Sequence, residues 1–134
     1  MLSVYQGWLP PTHETPYKPD DIRVLADRIY HPRDIGAAVS SGSFVTAGML
    51  VAPCSVKTLS GIANSYNENL VVRAADVCLK ERRRVVLMLR ETPLHAGHIE
   101  LMAQATRNGA IIVPPVPGAA PDLRYAAGQL AGEE

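Results

Sequence analysis

Ser55, Val56, Lys57 and Thr58 carry the most suggestive chemistry in this chain, because of what precedes them. Met49-Leu50-Val51-Ala52 is a short apolar run that stops at Pro53, and Cys54 separates that proline from the polar cluster. Beyond it the apolar residues Leu59, Ile62, Ala63 and Tyr66 follow a helical period. Ser55 to Thr58 therefore stand where a buried strand gives way to a helix, the edge at which open α/β sheets bind ligands. A helix start offers unsatisfied backbone N–H groups and a partial positive charge, which suit an anion such as phosphate. Two hydroxyls and one ammonium add donors and charge. The pattern recurs at Val85-Val86-Leu87-Met88-Leu89, which runs straight into Arg90-Glu91-Thr92-Pro93. Burying charge is costly unless it is paired or used, so two charges at such a strand end imply a site or a structural ion pair. Two strand ends of this kind side by side would form a polar crevice.

The elements that must position these residues are legible from periodicity and caps. The expected strands are 49–52, 85–89 and 110–113. A helix is expected over 56–65. A second runs over about 69–82 after the turn at Asn67-Glu68-Asn69, with Leu70, Val71, Ala74, Ala75 and Cys78 as its apolar stripe. A third runs over 93–108, with Thr92 as N-cap, Pro93 in first position and Asn108-Gly109 as its stop. Arg73, Asp76 and Lys80 share another face of the second helix, and two turns place the Arg73 and Lys80 Cα atoms roughly 10 Å apart. Short helices are expected from Asp20-Asp21 through Ile29 and from Asp34 to Val39, and a weak one around 122–131. Alternating strands and helices imply a parallel sheet with right-handed crossovers.

Composition narrows the class. The chain has 134 residues and reads as one domain, residues 1–134, with an irregular Pro-rich arm at 1–20 and an atypical Ala/Gly-rich tail at 118–134. Thirteen basic and thirteen acidic residues cancel, which gives no reason to expect nucleic acid as a partner. Cys54 and Cys78 are too few for a disulfide framework, so a cytoplasmic location is expected. No stretch approaches a transmembrane span. Cys54 reads as a small buried hydrophobe rather than a nucleophile. His95 and His98 have a spacing that can fit a metal, but only Glu91 is near to complete a set, so they read as surface or interface histidines and no metal is expected. Arg82-Arg83-Arg84 reads as a solvated helix end, where cations suit the dipole. Trp8 lies in the arm.

Six ordered motifs, Ser41-Gly42-Ser43-Phe44, Pro53 to Leu59, Arg73 to Val77, Leu79 to Arg83, Arg90 to His95 and Pro114-Pro115-Val116-Pro117, resemble the flavin prenyltransferase (UbiX-type) family over about residues 13–117. The resemblance implies a flavodoxin- or Rossmann-like α/β fold and FMN as cofactor. It implies transfer of a dimethylallyl group from dimethylallyl phosphate to the flavin. The prenylated FMN would supply a partner aromatic-acid decarboxylase, in ubiquinone synthesis or aromatic-acid breakdown, and the chain would form a homo-oligomer of trimers within a dodecamer. It assigns Ser55, Val56, Lys57, Thr58 and Arg90 to FMN. Arg73, Lys80, Arg90 and Glu91 would line the prenyl-phosphate pocket, with Glu91 as proton carrier. The chain departs from the family in lacking its first strand, Gly-rich loop and helix, and in reading Ala119-Ala120 where the family has Phe-Tyr. An exposed sheet edge and self-association are expected from the first departure. The alternative reading is an inactive member that acts only as an FMN-binding or oligomer-forming module. Ala119-Ala120 favours the module, and the retained Arg73, Lys80, Arg90 and Glu91 favour the transferase.

Overall fold

The computed structural model describes residues 18–114 and 128–132. Its elements are α1 (Pro19–Arg23), a 3-10 turn at Ala38–Ser40, β1 (Gly48–Cys54), α2 (Val56–Ala63), α3 (Leu70–Lys80), β2 (Arg84–Leu89), α4 (Ala96–Arg107) and β3 (Ala110–Ile112). The three strands form one parallel sheet in the order β1-β2-β3. In register, Met49 faces Val85 and Cys54 faces Leu89 across one pair, while Val86 faces Ile111 across the other. Helices α2 and α3 make the first crossover and α4 the second.

The sheet is apolar on both faces, as parallel sheets must be. Val51, Cys54, Val85, Leu87 and Leu89 pack against Leu59 and Ile62 of α2, Val72 and Ala75 of α3, and Ala105 of α4. On the opposite face Val86 and Val113 are buried with Leu50, Ile111 and Leu130. Alternation along β2 thus sends Val85, Leu87 and Leu89 one way and Val86 the other, the period of two that a strand imposes. A smaller cluster joins Ala37 and Val39 to Leu70 and Ala74 of α3, with Tyr30 and Phe44 against it. The Pro32 carbonyl accepts from Leu70 N–H at 2.8 Å and fastens this segment to the start of α3.

Several local readings are corrected. β1 does not stop at Ala52 but continues through Pro53 to Cys54, with a register shift between Val51 and Cys54. Among the described residues β1 is an edge strand, and proline, which has no N–H for a ladder bond, is tolerated there. The third helix begins at Ala96, not Pro93, and its N-cap is His95, not Thr92. The His95 and His98 side chains each accept from the other's backbone N–H, a reciprocal cap that fixes the start three residues later. α1 ends at Arg23 instead of running to Ile29; Val24, Leu25 and Ile29 are exposed and gain nothing from a helical stripe. Residues 34–37 form turns, so only the end of the expected 34–39 helix is helical. Of the expected helix at 122–131, residues 128–131 are helical and the rest lies outside the described residues, as do Trp8 and Ala119-Ala120.

Arg83 is also more than a solvated helix end. Its guanidinium donates to the Phe44 carbonyl at 2.8 Å and the Gly42 carbonyl at 2.7 Å. That fork fastens the Ser41–Phe44 loop beneath the end of α3.

Gly61 shows how tightly α2 and α3 approach. A Cβ there would lie 2.9 Å from Cγ2 of Val72, a residue that is itself fully buried. Gly61→Ala is therefore predicted to destabilise the fold by about 1–3 kcal/mol. Urea denaturation checks this: the midpoint falls at an unchanged slope, and an unchanged midpoint contradicts the close-contact account.

Candidate functional site

β1 and β2 end side by side, and the Arg90 N–H donates to the Cys54 carbonyl at 3.1 Å. This bond extends the ladder one step past the last paired residues, Cys54 and Leu89. It sets Arg90 beside the start of α2. There Ser55 is the N-cap, and its Oγ accepts from Thr58 N–H at 3.2 Å and lies 3.1 Å from Thr58 Oγ1. Val56 and Lys57 occupy the first two helical positions, where N–H groups have no acceptor within the helix. α2 has no acidic residue in its first turn.

A cleft of about 1190 Å³ opens here. Its walls include the Ser55–Thr58 turn, Arg90, the β1 segment 49–53, and His95, His98 and Leu101 from α4. The turn between α2 and α3 closes another side with Tyr66, Glu68 and Asn69. The wall is mainly apolar and includes hydroxyls, a guanidinium and a helix start. That arrangement suits a planar organic ring carrying an anionic tail.

The far end of α2 is held just as firmly. The Ala63 carbonyl accepts from Gln104 Nε2 at 2.8 Å and Asn108 Nδ2 at 3.0 Å, both contributed by the α4 segment. These bonds satisfy an orphan carbonyl of the last helical turn.

Ser55, Val56, Lys57, Thr58 and Arg90, each singled out from the sequence, thus share one cleft. Arg73, Lys80 and Glu91 do not line it. Arg73 is half-buried on α3 with its guanidinium 3.4 Å from Asp76 Oδ2, and Asp76 also accepts from Asn67 Nδ2 at 3.2 Å. Lys80 pairs with the Glu81 carboxylate, whose proton affinity that ammonium lowers. Glu91 is exposed beyond the strand end. Tyr66, Glu68, His95 and His98 line the cleft without having been assigned to it. Tyr66 falls past α2 instead of on its buried stripe. The Asn67-Glu68-Asn69 turn was the available signal that the chain reverses after α2. The two imidazoles stack with centroids 3.6 Å apart. Among the described residues no group of three or more His, Cys, Asp or Glu could hold a metal, and no helix is long and apolar enough to cross a membrane.

The Flavoprotein family model matches residues 8–124. A solved structure of AnUbiX (PadA1), in complex with FMN and dimethylallyl pyrophosphate, superposes with a TM-score of 0.80 at 46% identity, covering 90% of this chain and 68% of that one.

The chain belongs to the flavoprotein family, in its UbiX-type group.

Among curated flavoprotein relatives, the flavin prenyltransferase UbiX of Thauera aromatica is 60% identical over 105 residues, 78% of this chain and 54% of the relative. UbiX of Escherichia coli strain K12 is 58% identical over 104 residues, 78% of this chain and 55% of the relative. The chain thus spans about half the length of the curated relatives it matches. A dodecameric FMN-dependent UbiX-like decarboxylase from Escherichia coli O157:H7 superposes with a TM-score of 0.78 at 44% identity, covering 90% of this chain and 69% of that one. These matches agree with the parallel sheet and flanking helices of the flavoprotein fold described above.

Cys54 lines the cleft as a buried free thiol. Burial pushes its thiol up to about 12, only partly opposed by a backbone hydrogen bond from Leu59. A thiol raised in the folded state favours folding below its ordinary value and loses that contribution as pH climbs through the folded value. Alkaline destabilisation between about pH 9 and 12 is therefore predicted to be shallower in Cys54→Ala than in the parent chain. Chemical denaturation across that range checks it, and parallel slopes would refute it.

Proposed function

We propose that this chain binds FMN in the cleft at the start of α2 and acts in prenylation of the flavin, with dimethylallyl phosphate as donor. The prenylated FMN would serve a partner aromatic-acid decarboxylase. The observation that carries the reading is that the Ser55–Thr58 helix start and Arg90, set side by side by the Arg90–Cys54 bond, line one largely apolar cleft. The donor set fits the cofactor: hydroxyls, N–H groups and cations for the phosphate and ribityl end, and apolar wall for the ring. FMN and dimethylallyl pyrophosphate in the AnUbiX structure support it.

In this reading Ser55 and Thr58 orient the cofactor through their hydroxyls. Val56 and Lys57 present backbone N–H groups at a helix end that favours negative charge. Arg90 supplies fixed positive charge, and its position is set by the N–H bond to Cys54. Reduced FMN, when bound, supplies the nucleophilic ring positions N5 and C6 that accept the prenyl group. Arg73 and Lys80 would offset the charge on the leaving phosphate, and Glu91 would carry a proton. These three lie outside the cleft of their own chain, so their proposed contribution is made across a contact between copies in a homo-oligomer. The dodecameric relative supports such an assembly, and a cytoplasmic setting is part of the proposal.

Two measurements test the reading. After incubation with FMN and dimethylallyl phosphate under reducing conditions and desalting, the chain is predicted to retain flavin with a spectrum that changes only when the prenyl donor is present. Retained but unchanged flavin would leave a binding module, which the placement of Arg73, Lys80 and Glu91 outside the cleft favours. No retained flavin would overturn the proposal. Arg90→Ala is predicted to weaken FMN binding at least tenfold, and Lys80→Ala to remove prenyl transfer while flavin is still retained. Co-expression of the two variants then regains partial activity if the site is shared between copies. No recovery would place the Lys80 contribution within one chain.

A further inference from the structure

Lys57 is not a simple cation waiting for an anion. Its Nζ lies 3.0 Å from Glu68 Oε1, and both residues line the cleft. The lysine side chain is 81% exposed and the glutamate 37%, so the carboxylate is the better-anchored half of the pair. Glu68 sits on a closely held turn. Tyr66 N–H donates to the Gly61 carbonyl, and Glu68 N–H to the Tyr66 carbonyl, each at 2.8 Å. Asn67 on one side is tied to Asp76, and Asn69 on the other caps α3 by accepting from Val72 N–H at 3.0 Å. A lysine in the first turn of a helix opposes the helix dipole. α2 has no first-turn acid of its own to offset it, and Glu68 supplies that negative charge from outside the helix.

We infer that Glu68 is an internal stand-in for the bound anion: it pairs with Lys57 at the cleft wall and must be displaced, or must share the lysine, when a phosphate group arrives. Glu68 is then a residue that lowers and tunes anion affinity rather than one that binds the ligand. The inference rests on the FMN reading for its ligand, but its chemistry concerns any phosphate monoester at this helix start. It also gives the cleft a preference. A ligand without phosphate gains nothing from displacing the carboxylate, whereas a phosphate exchanges one charge partner of Lys57 for another.

The test compares the parent chain with Glu68→Gln, Lys57→Met and the double variant. FMN and riboflavin are titrated by flavin fluorescence at low ionic strength, where charge effects are least screened. Glu68→Gln is predicted to tighten FMN about three- to tenfold and to leave riboflavin within twofold. The gain disappears in the Lys57→Met background and shrinks at high salt. Unchanged or weakened FMN binding in Glu68→Gln overturns the inference, as does an equal gain for riboflavin. Absence of FMN binding by the parent chain would overturn the cofactor reading instead. Inorganic phosphate then decides the Glu68 inference alone: a larger phosphate-induced rise in melting temperature in Glu68→Gln than in the parent upholds it, and an equal rise overturns it.

Discussion

The hydrogen bond from Arg90 N–H to the Cys54 carbonyl is the constraint on which the site depends. Parallel strands can end at different heights, and each loop beyond them would then point its own way. Here β1 and β2 come back into step at their last residues, Cys54 and Leu89, after the register shift that follows Val51, so the turn into α2 and the charged residue after β2 emerge together. The anion-binding character of the cleft follows from that alignment. A helix start is a weak attractor alone, and an exposed arginine is another; placed within one crevice they share a ligand.

Holding the strands in step requires that both faces of the sheet be filled. Leu59 and Ile62 of α2, Val72 of α3 and Ala105 of α4 fill one face, and Leu50, Ile111, Val113 and Leu130 surround Val86 on the other. The contact at Gly61 lets α2 and α3 approach closely over the same strands. Arg83 performs a related task at the other end of the sheet, where its fork to Gly42 and Phe44 closes the loop that leads into β1. The fold spends its polar side chains on loops and helix ends and keeps the space between sheet and helices apolar.

Much of this was legible in the sequence. The runs at Met49–Ala52 and Val85–Leu89, the stripe of α3 and the placement of Ser55–Thr58 follow from periodicity and capping chemistry, which are local. The start of α4 was misread because Thr92-Pro93 is a sound cap signal, while the histidine pair that actually caps the helix is an uncommon one. Pro53 looked like a stop because proline's exclusion from strands applies to central ones, and edge position is a property of the sheet. Glu68 and Tyr66 escaped for the same reason. The Asn67-Glu68-Asn69 turn signals a reversal of the chain after α2, but not which end of α2 the reversed segment meets. The six ordered motifs placed the chain in its family, but motif order cannot say that Arg73 and Lys80 lie outside the cleft that Arg90 joins.

The two donors on the Ala63 carbonyl carry a consequence for how the cleft moves. α2 has only eight residues, too few to be helical unaided. Its start is therefore only as rigid as its end, and its end is secured by Gln104 and Asn108. Occupancy at Ser55–Thr58 and the anchorage at Ala63 act on the same two turns of helix from opposite sides. Slower amide hydrogen exchange throughout α2 would be the signature of a filled cleft, and loosening the Gln104 contact would speed that exchange even at the N-terminal turn, which Gln104 never touches.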